Sequence, residues 1–407
     1  MAYKGREYLK NHLALKRTRV LLRYRYYDMK NGVKYLRTLI PSEFMWMAET
    51  LGWCGKAVDS LADRLSFREF KNDNFDLNTI FSMNNGDILP DSAILSALIG
   101  SCCFVYISED EAGYPRLQVI DGSNATGDAD PITGMLKEGY AVISRDKNKN
   151  VEMDAYFLPH RTEFYRHNQL VRVDTHDAPY PLLVPIIYRP DAMRPFGHSR
   201  ISRACMNLMQ SALRTLLRSE VSAEFYSFPQ KYVTGLAQDA EEMDDVKAFM
   251  SSFLKLTKDD EGDTPKLGQF TQQSMSPYTE QLRTFASLFA GETGLTLDDL
   301  GFVTDNPSSA DAIKASHENL RLAARKAQKC FSSGFLNVGY LAACVRDQYS
   351  YKRQQFYLSK AAWEPVFEPD AAMLSGIGDG ISKINQAVPG YFGPDNLRDM
   401  TGIDPNT

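Results

Sequence analysis

The residues best suited to chemistry are few, and their spacing does not complete any known site. His317-Glu318 opens like the helical zinc motif in which a second histidine follows three residues after the glutamate, but that position holds Arg321. Asp298-Asp299 and Asp259-Asp260 are adjacent carboxylates able to face a cation, but both read as solvated loops. Gly376-Ile377-Gly378-Asp379-Gly380 has some of the glycine of a dinucleotide loop, without the preceding strand or the third glycine spacing. Neither the phosphate-binding G-x-x-x-x-G-K-[ST] nor the G-x-S-x-G nucleophile turn occurs. The six histidines are scattered, and the six cysteines (Cys54, Cys102, Cys103, Cys205, Cys330, Cys344) form no C-x-x-C pair, which fits buried reduced thiols. No catalytic, cofactor or metal site emerges, and the chain reads as a non-enzyme.

The elements that would position these residues are mixed. Residues 1–70 read as helical, with a second apolar helix over Glu43 to Leu65, followed by helices at Leu77 to Met83 and Ser92 to Gly100. Strands follow at Cys103 to Ser108, Leu117 to Ile120, Gly139 to Ser144 and Val151 to Leu158. Phe164 to His167 and Leu170 to Val173 suit a hairpin turning at Asn168-Gln169. Pro179 to Pro195 reads as a buried extended crossing. Ser199 is placed to cap a helix running without Gly or Pro from Arg200 to Tyr226, roughly 40 Å at the usual rise. Residues 229–276 look like a small strand–helix–strand insertion, and Pro277 opens a further helix to Glu292. The longest helix is expected over Ala310 to Gln348, with Ile313, Leu320, Ala324, Ala327, Phe331, Phe335 and Val338 on one face and a kink at Ser332-Ser333-Gly334. Gln355 to Leu358 and Trp363 to Glu368 read as extended. The fold class is α+β, without the regular alternation of a doubly wound sheet.

Composition limits the function classes further. The 407 residues suffice for two or three domains, and 43% apolar with 24% charged residues is ordinary for a folded protein. No apolar run reaches the roughly 18 residues a membrane span requires, and the basic N-terminus has no signal-peptide core behind it, so a soluble, non-secreted chain with no membrane partner is expected. The net charge of −5 argues against a protein built to grip nucleic acid. Against that background Lys4, Arg6, Lys10, Lys16, Arg17, Arg19, Arg23 and Arg25 face only Glu7 within the first 25 residues. This basic arm reads either as a solvated helix or as a salt-sensitive contact to a partner or to phosphate, and its removal is expected to spare the fold.

Four segments carry a resemblance. PFGHSRISRACMNLMQSALRT, GETGLTLDDLGFVTDNPSSADAIKASHENL, VDSLADRLSFREF and WEPVFEPDAAML are similar, in order, to segments of the portal (head-to-tail connector) proteins of siphovirus-type tailed bacteriophages. The resemblance implies a ring-forming portal fold, a homo-oligomer, usually a dodecamer, around a DNA channel at one capsid vertex. It implies a wing at 1–198 joined by strands at 350–368, and a first stem helix at 199–228. It further implies a clip at 229–276, a second stem helix at 277–293, a tunnel loop at 294–309, a spine helix at 310–349 and a short crown at 369–407. Implied partners are double-stranded DNA passing through the channel, the terminase large subunit, the major capsid and scaffold proteins, and a head–tail adaptor. The implied location is the virion, with assembly in the host cytoplasm.

Mapped onto this chain, the tunnel loop would face DNA with Thr296, Asp298, Asp299, Thr304, Asp305 and Asn306. It holds no Lys or Arg, and so would guide a moving duplex without ion pairs. The charged turn Lys258, Asp259, Asp260, Glu261 and Asp263 would be the clip's partner contact. A monomeric assembly scaffold or adaptor and a metal-dependent nucleic-acid enzyme are the competing classes. The first would remain a single chain in solution, and the second would need a carboxylate cluster and metal-dependent turnover.

Overall fold

The computed structural model describes residues 3–32, 50–227, 231–234, 266–269, 274–302, 315–367, 369 and 371–403. It is a mixed helix and sheet protein that divides into two compact units. One comprises Met1–Asn31, Gly52–Met206 and Gly291–Thr407, and the other Gly32–Leu51 and Asn207–Ala290.

In the larger unit, α1 (Arg6–Tyr27) buries Leu9, Leu13, Val20 and Tyr26. Leu9 and Leu13, one turn apart, join Tyr140, Val142, Tyr156 and Leu158 in one core cluster. The expectation that the first 25 residues are dispensable is therefore corrected: they form part of the core. Only α2 (Trp53–Ala62) remains, among the described residues, of the apolar helix expected over 43–65. The chain then turns into a strand, β1 (Phe67–Lys71), where a helix was expected. Helices α3 (Leu77–Met83) and α4 (Ile88–Gly100) follow.

Two antiparallel sheets come next. Strands β2 (Cys102–Glu109), β3 (Pro115–Asp121) and β9 (Leu183–Ile187) form a three-stranded sheet in the order β3-β2-β9. The first six residues of β2 are all buried, which explains its unbroken apolar run. Strands β4 (Ala125–Ala129), β5 (Leu136–Arg145), β6 (Val151–Leu158), β7 (Arg161–Arg166) and β8 (Gln169–Thr175) form a five-stranded meander. The β7–β8 hairpin turns at His167-Asn168, one residue before the expected position. Both residues are left-handed (φ 46° and 65°), the geometry that matches strand twist and that Asn tolerates well.

Helix α5 (Arg203–Ser227) begins three residues later than expected. Ser202 is the capping residue, accepting from the Cys205 N–H at 3.1 Å, while the Ser199 hydroxyl accepts from the Ile201 N–H at 3.0 Å and donates to the Ile99 carbonyl at 2.7 Å. In the smaller unit α5 packs along α6 (Ser276–Thr293) through hydrogen bonds from Thr215 to Gln281 at 3.0 Å and between Ser222 and Tyr278 at 2.9 Å. Strands β10 (Lys231–Thr234) and β11 (Lys266–Gln269) pair antiparallel.

Helix α7 (Glu318–Arg346) runs without a break through Ser332-Ser333-Gly334. Gly334 has a packing role, since a Cβ there would lie 2.7 Å from Ile186 Cδ1 on β9. Arg353–Phe356 is a 3₁₀ turn where an extended segment was expected. Strand β12 (Lys360–Trp363) then pairs antiparallel with β1. Helices α8 (Ala371–Ala387) and α9 (Pro394–Thr401) complete the described chain.

Candidate nucleic-acid-facing loop and interaction surfaces

The loop after α6 starts with Gly294 in a left-handed conformation (φ 71°). Leu295 is buried, and Asp298–Leu300 forms a 3₁₀ turn. Thr296 and Asp299 close on each other. The Thr296 N–H and hydroxyl both donate to Asp299 Oδ2 at 2.9 Å, and the Asp299 N–H donates back to Thr296 Oγ1 at 3.2 Å. This reciprocal capping box fixes the backbone. Leu300 is buried below it, and Gly301 (φ 88°) ends the turn. Thr296 and Asp299 thus face each other, while Asp298 is exposed. Thr304, Asp305 and Asn306 lie outside the described residues, as do Lys258, Asp259, Asp260, Glu261 and Asp263.

The loop and the start of α5 are tied at their bases. Arg200 donates from Nε to the Ala57 carbonyl at 3.1 Å and from Nη2 to the Thr293 carbonyl, and Ser202 Oγ donates to Glu292 Oε1 at 2.8 Å. These contacts join the PFGHSRIS and GETGLT segments. Phe67 stands opposite Trp363, which joins the other two segments. Trp363 Nε1 also donates to Ser332 Oγ on α7 at 2.8 Å. Asp399 on α9 pairs with Arg68 at 2.9 Å and Lys71 at 2.5 Å, so the C-terminal helix is fastened to β1.

The eight cations near the N-terminus divide into distinct environments. Lys4 Nζ pairs with Asp128 at 2.6 Å. Arg6 grips Asp154 with two hydrogen bonds, Nε to Oδ2 at 2.8 Å and Nη2 to Oδ1 at 3.0 Å, and its guanidinium lies over the Tyr165 ring. Burial raises the Asp154 carboxyl above its ordinary range, and Arg6 opposes that rise. Lys10 reaches Asn168 at 2.8 Å. Arg23 donates to the Gly100 carbonyl at 3.0 Å, a favourable place for a cation at the end of α4. Arg17 is half-buried, with its Nε unpartnered among the described residues. Lys16 lies over the Phe196 ring, and Arg19 and Arg25 are exposed.

The remaining chemistry-bearing residues are dispersed. His317 Nδ1 is 4.0 Å from Asp299, and Glu318 pairs with Arg321 at 2.6 Å. Gly376 to Gly380 lies inside α8, so it forms no loop. Cys54, Cys102, Cys103, Cys205 and Cys344 are buried, and burial pushes the thiols of Cys102 and Cys344 up to about 11. Among the described residues no three His, Cys, Asp or Glu side chains gather as a metal site, and no helix is long and apolar enough to cross a membrane.

No protein-family model matches the chain. Over 318 residues it is 23% identical to the portal protein of Mycobacterium phage L5 and, over the same length, 22% identical to that of Mycobacterium phage D29. The chain is similar in sequence to the portal proteins of these two phages. Each match covers 72% of this chain and 65% of the phage protein, so the chain spans less than two thirds of either relative's length. Both matched relatives are portal proteins, the family that sequence reasoning reached through four segments. That reasoning missed that Arg200 and Glu292 serve as the segments' fasteners, because both contacts span about ninety positions.

Proposed function

We propose that this chain is the subunit of a portal ring at one capsid vertex, the channel through which double-stranded DNA is packaged and ejected. The observation that carries the proposal is the sequence match to two phage portal proteins. The division of the chain supports it: the smaller unit holds most of α5 and α6 together with the intervening segment, as a stem and clip would. On this reading 1–198 with 350–368 form the wing, 199–228 and 277–293 the stem helices and 229–276 the clip. The tunnel loop is 294–309, the spine helix 310–349 and the short crown 369–407.

A ring that lets a duplex slide must not hold it, because each cation on phosphate adds affinity. The loop 294–309 carries Asp298, Asp299 and Asp305 and no Lys or Arg, which suits a guiding surface. ATP turnover and DNA cutting are then the work of a terminase docking on the clip, with the turn at Lys258 to Asp263 as the contact. A head–tail adaptor later takes the same end.

Mass photometry of the purified full chain tests the assembly. Particles many times heavier than the 45.9 kDa chain support the ring. A single-chain species alone at every concentration and salt contradicts it.

A further inference from the structure

Lys16, Arg19 and Arg23 recur at steps of three and four on α1, which places them along one side of the helix. They line a cleft of about 550 Å³ together with Tyr8, His12, Phe104, Phe196 and Arg194. Among the described residues none of these four cations forms an ion pair with a carboxylate. Asp128, at the far end of the cleft, is taken by Lys4, and Asp191 is taken by His198 at 2.5 Å and by the N–H groups of Met193 and Arg194. Burial pushes Lys16 below the ordinary lysine range, and Arg19 adds to the fall. Burial likewise lowers Arg23, with Arg194 and Arg19 contributing. The Cys102 thiol beside them is pushed up to about 11 by burial, so it is neutral near pH 7 and supplies no counter-charge.

The far wall is preformed. Gly197 is left-handed (φ 73°) and sits against the Tyr188 carbonyl, where a Cβ would lie 2.1 Å away. His198 N–H donates to Tyr188 O at 2.9 Å and Gly197 N–H to Arg194 O at 2.8 Å. Arg194 Nη1 donates to His198 Nδ1 at 3.2 Å. This short loop holds Arg194 at the cleft and leaves the adjacent Met193 side chain 90% exposed. A rigid wall binds at lower entropic cost than a flexible one.

We infer that this cleft is a docking site for an acidic peptide of a partner protein, its carboxylates received by Lys16, Arg19, Arg23 and Arg194 and an apolar side chain by Met193 and Phe196. Guanidinium forks match carboxylates two bonds at a time. A peptide suits this cleft better than a duplex, because the exposed methionine has no counterpart on a phosphate backbone. The inference goes beyond the portal reading and does not depend on ring formation.

The test uses the full chain and a short labelled peptide of alternating glutamate and leucine, read by fluorescence anisotropy at low and moderate salt. Controls are the same peptide with glutamine for glutamate and a short DNA duplex. The glutamate peptide is expected to bind with an affinity that falls with salt, while the glutamine peptide does not bind. The double substitution Arg19→Glu and Arg194→Glu, both at exposed positions, is expected to weaken binding at least about tenfold. Arg19→Ala alone gives a smaller loss should the double variant fail to fold. Arg25→Gln, at an exposed position on α1 outside the cleft, is expected to leave binding within about twofold. Equal binding of both peptides, unchanged binding by the Arg19 variants, or displacement of the peptide by the duplex would each overturn the inference.

Discussion

The Arg200 guanidinium donates from Nη2 to the main-chain carbonyl of Thr293, joining the residues just before α5 to the last residue of α6. Its Nε reaches the Ala57 carbonyl at 3.1 Å, so one planar side chain satisfies acceptors on two buried residues. A lysine offers no second donor in the same plane.

Arg200→Lys is therefore expected to destabilise the chain by about 1–3 kcal/mol, the cost of leaving a buried acceptor unpaired. Urea unfolding checks this, and an unchanged midpoint would show that the two carbonyls find other donors.

Arg6→Ala strands the Asp154 carboxylate, which is buried between strands, and is expected to cost about 3–5 kcal/mol at neutral pH. The pH dependence has a definite sign. Burial raises the Asp154 carboxyl in the folded state, so the folded chain binds its proton more readily than the unfolded chain. Stability then falls as pH rises from the ordinary carboxylate range through the raised folded value, and removing Arg6 enlarges that fall. The deficit of Arg6→Ala should shrink as pH is lowered. Unfolding curves across pH that show a constant deficit would contradict this.

Deletion of residues 1–25 is expected to unfold the larger unit, because it removes Leu9, Leu13 and Val20 from the core. Each such side chain contributes about 1.5–3 kcal/mol by burial, and a domain has only about 5–15 kcal/mol in total. A truncated chain with native near-ultraviolet circular dichroism would show that α1 is dispensable.

The β7–β8 hairpin was legible because alternation and a turn residue are local signals. The apolar core face of α7 was legible for the same reason. β1 was not: FREFK sits at the end of an apolar helical run, and its strand state comes from pairing with β12, nearly three hundred positions away. β4, reading ATGDA, has almost no strand signal and is held by its neighbour β5. The basic segment shows the same limit. Its charge excess was plain, but which cations are neutralised depends on Asp128, Asp154 and Asn168, which the fold brings to it.

Thr304→Arg in the loop 294–309 is expected to assemble normally and to slow DNA packaging at low salt, with partial recovery as salt rises. One added cation per subunit gives a duplex several new phosphate contacts, each releasing a counterion. Thr304→Ser should behave like the parent. Packaging by the arginine variant at the parental rate would remove this loop from the DNA path.

On the proposed function, copies of this chain close into a ring around a channel. Negative-stain electron microscopy of the purified full chain addresses it most directly. End-on class averages should show a closed ring with a central hole wide enough for a duplex. Compact single-chain particles, or assemblies without a central hole, would contradict the account.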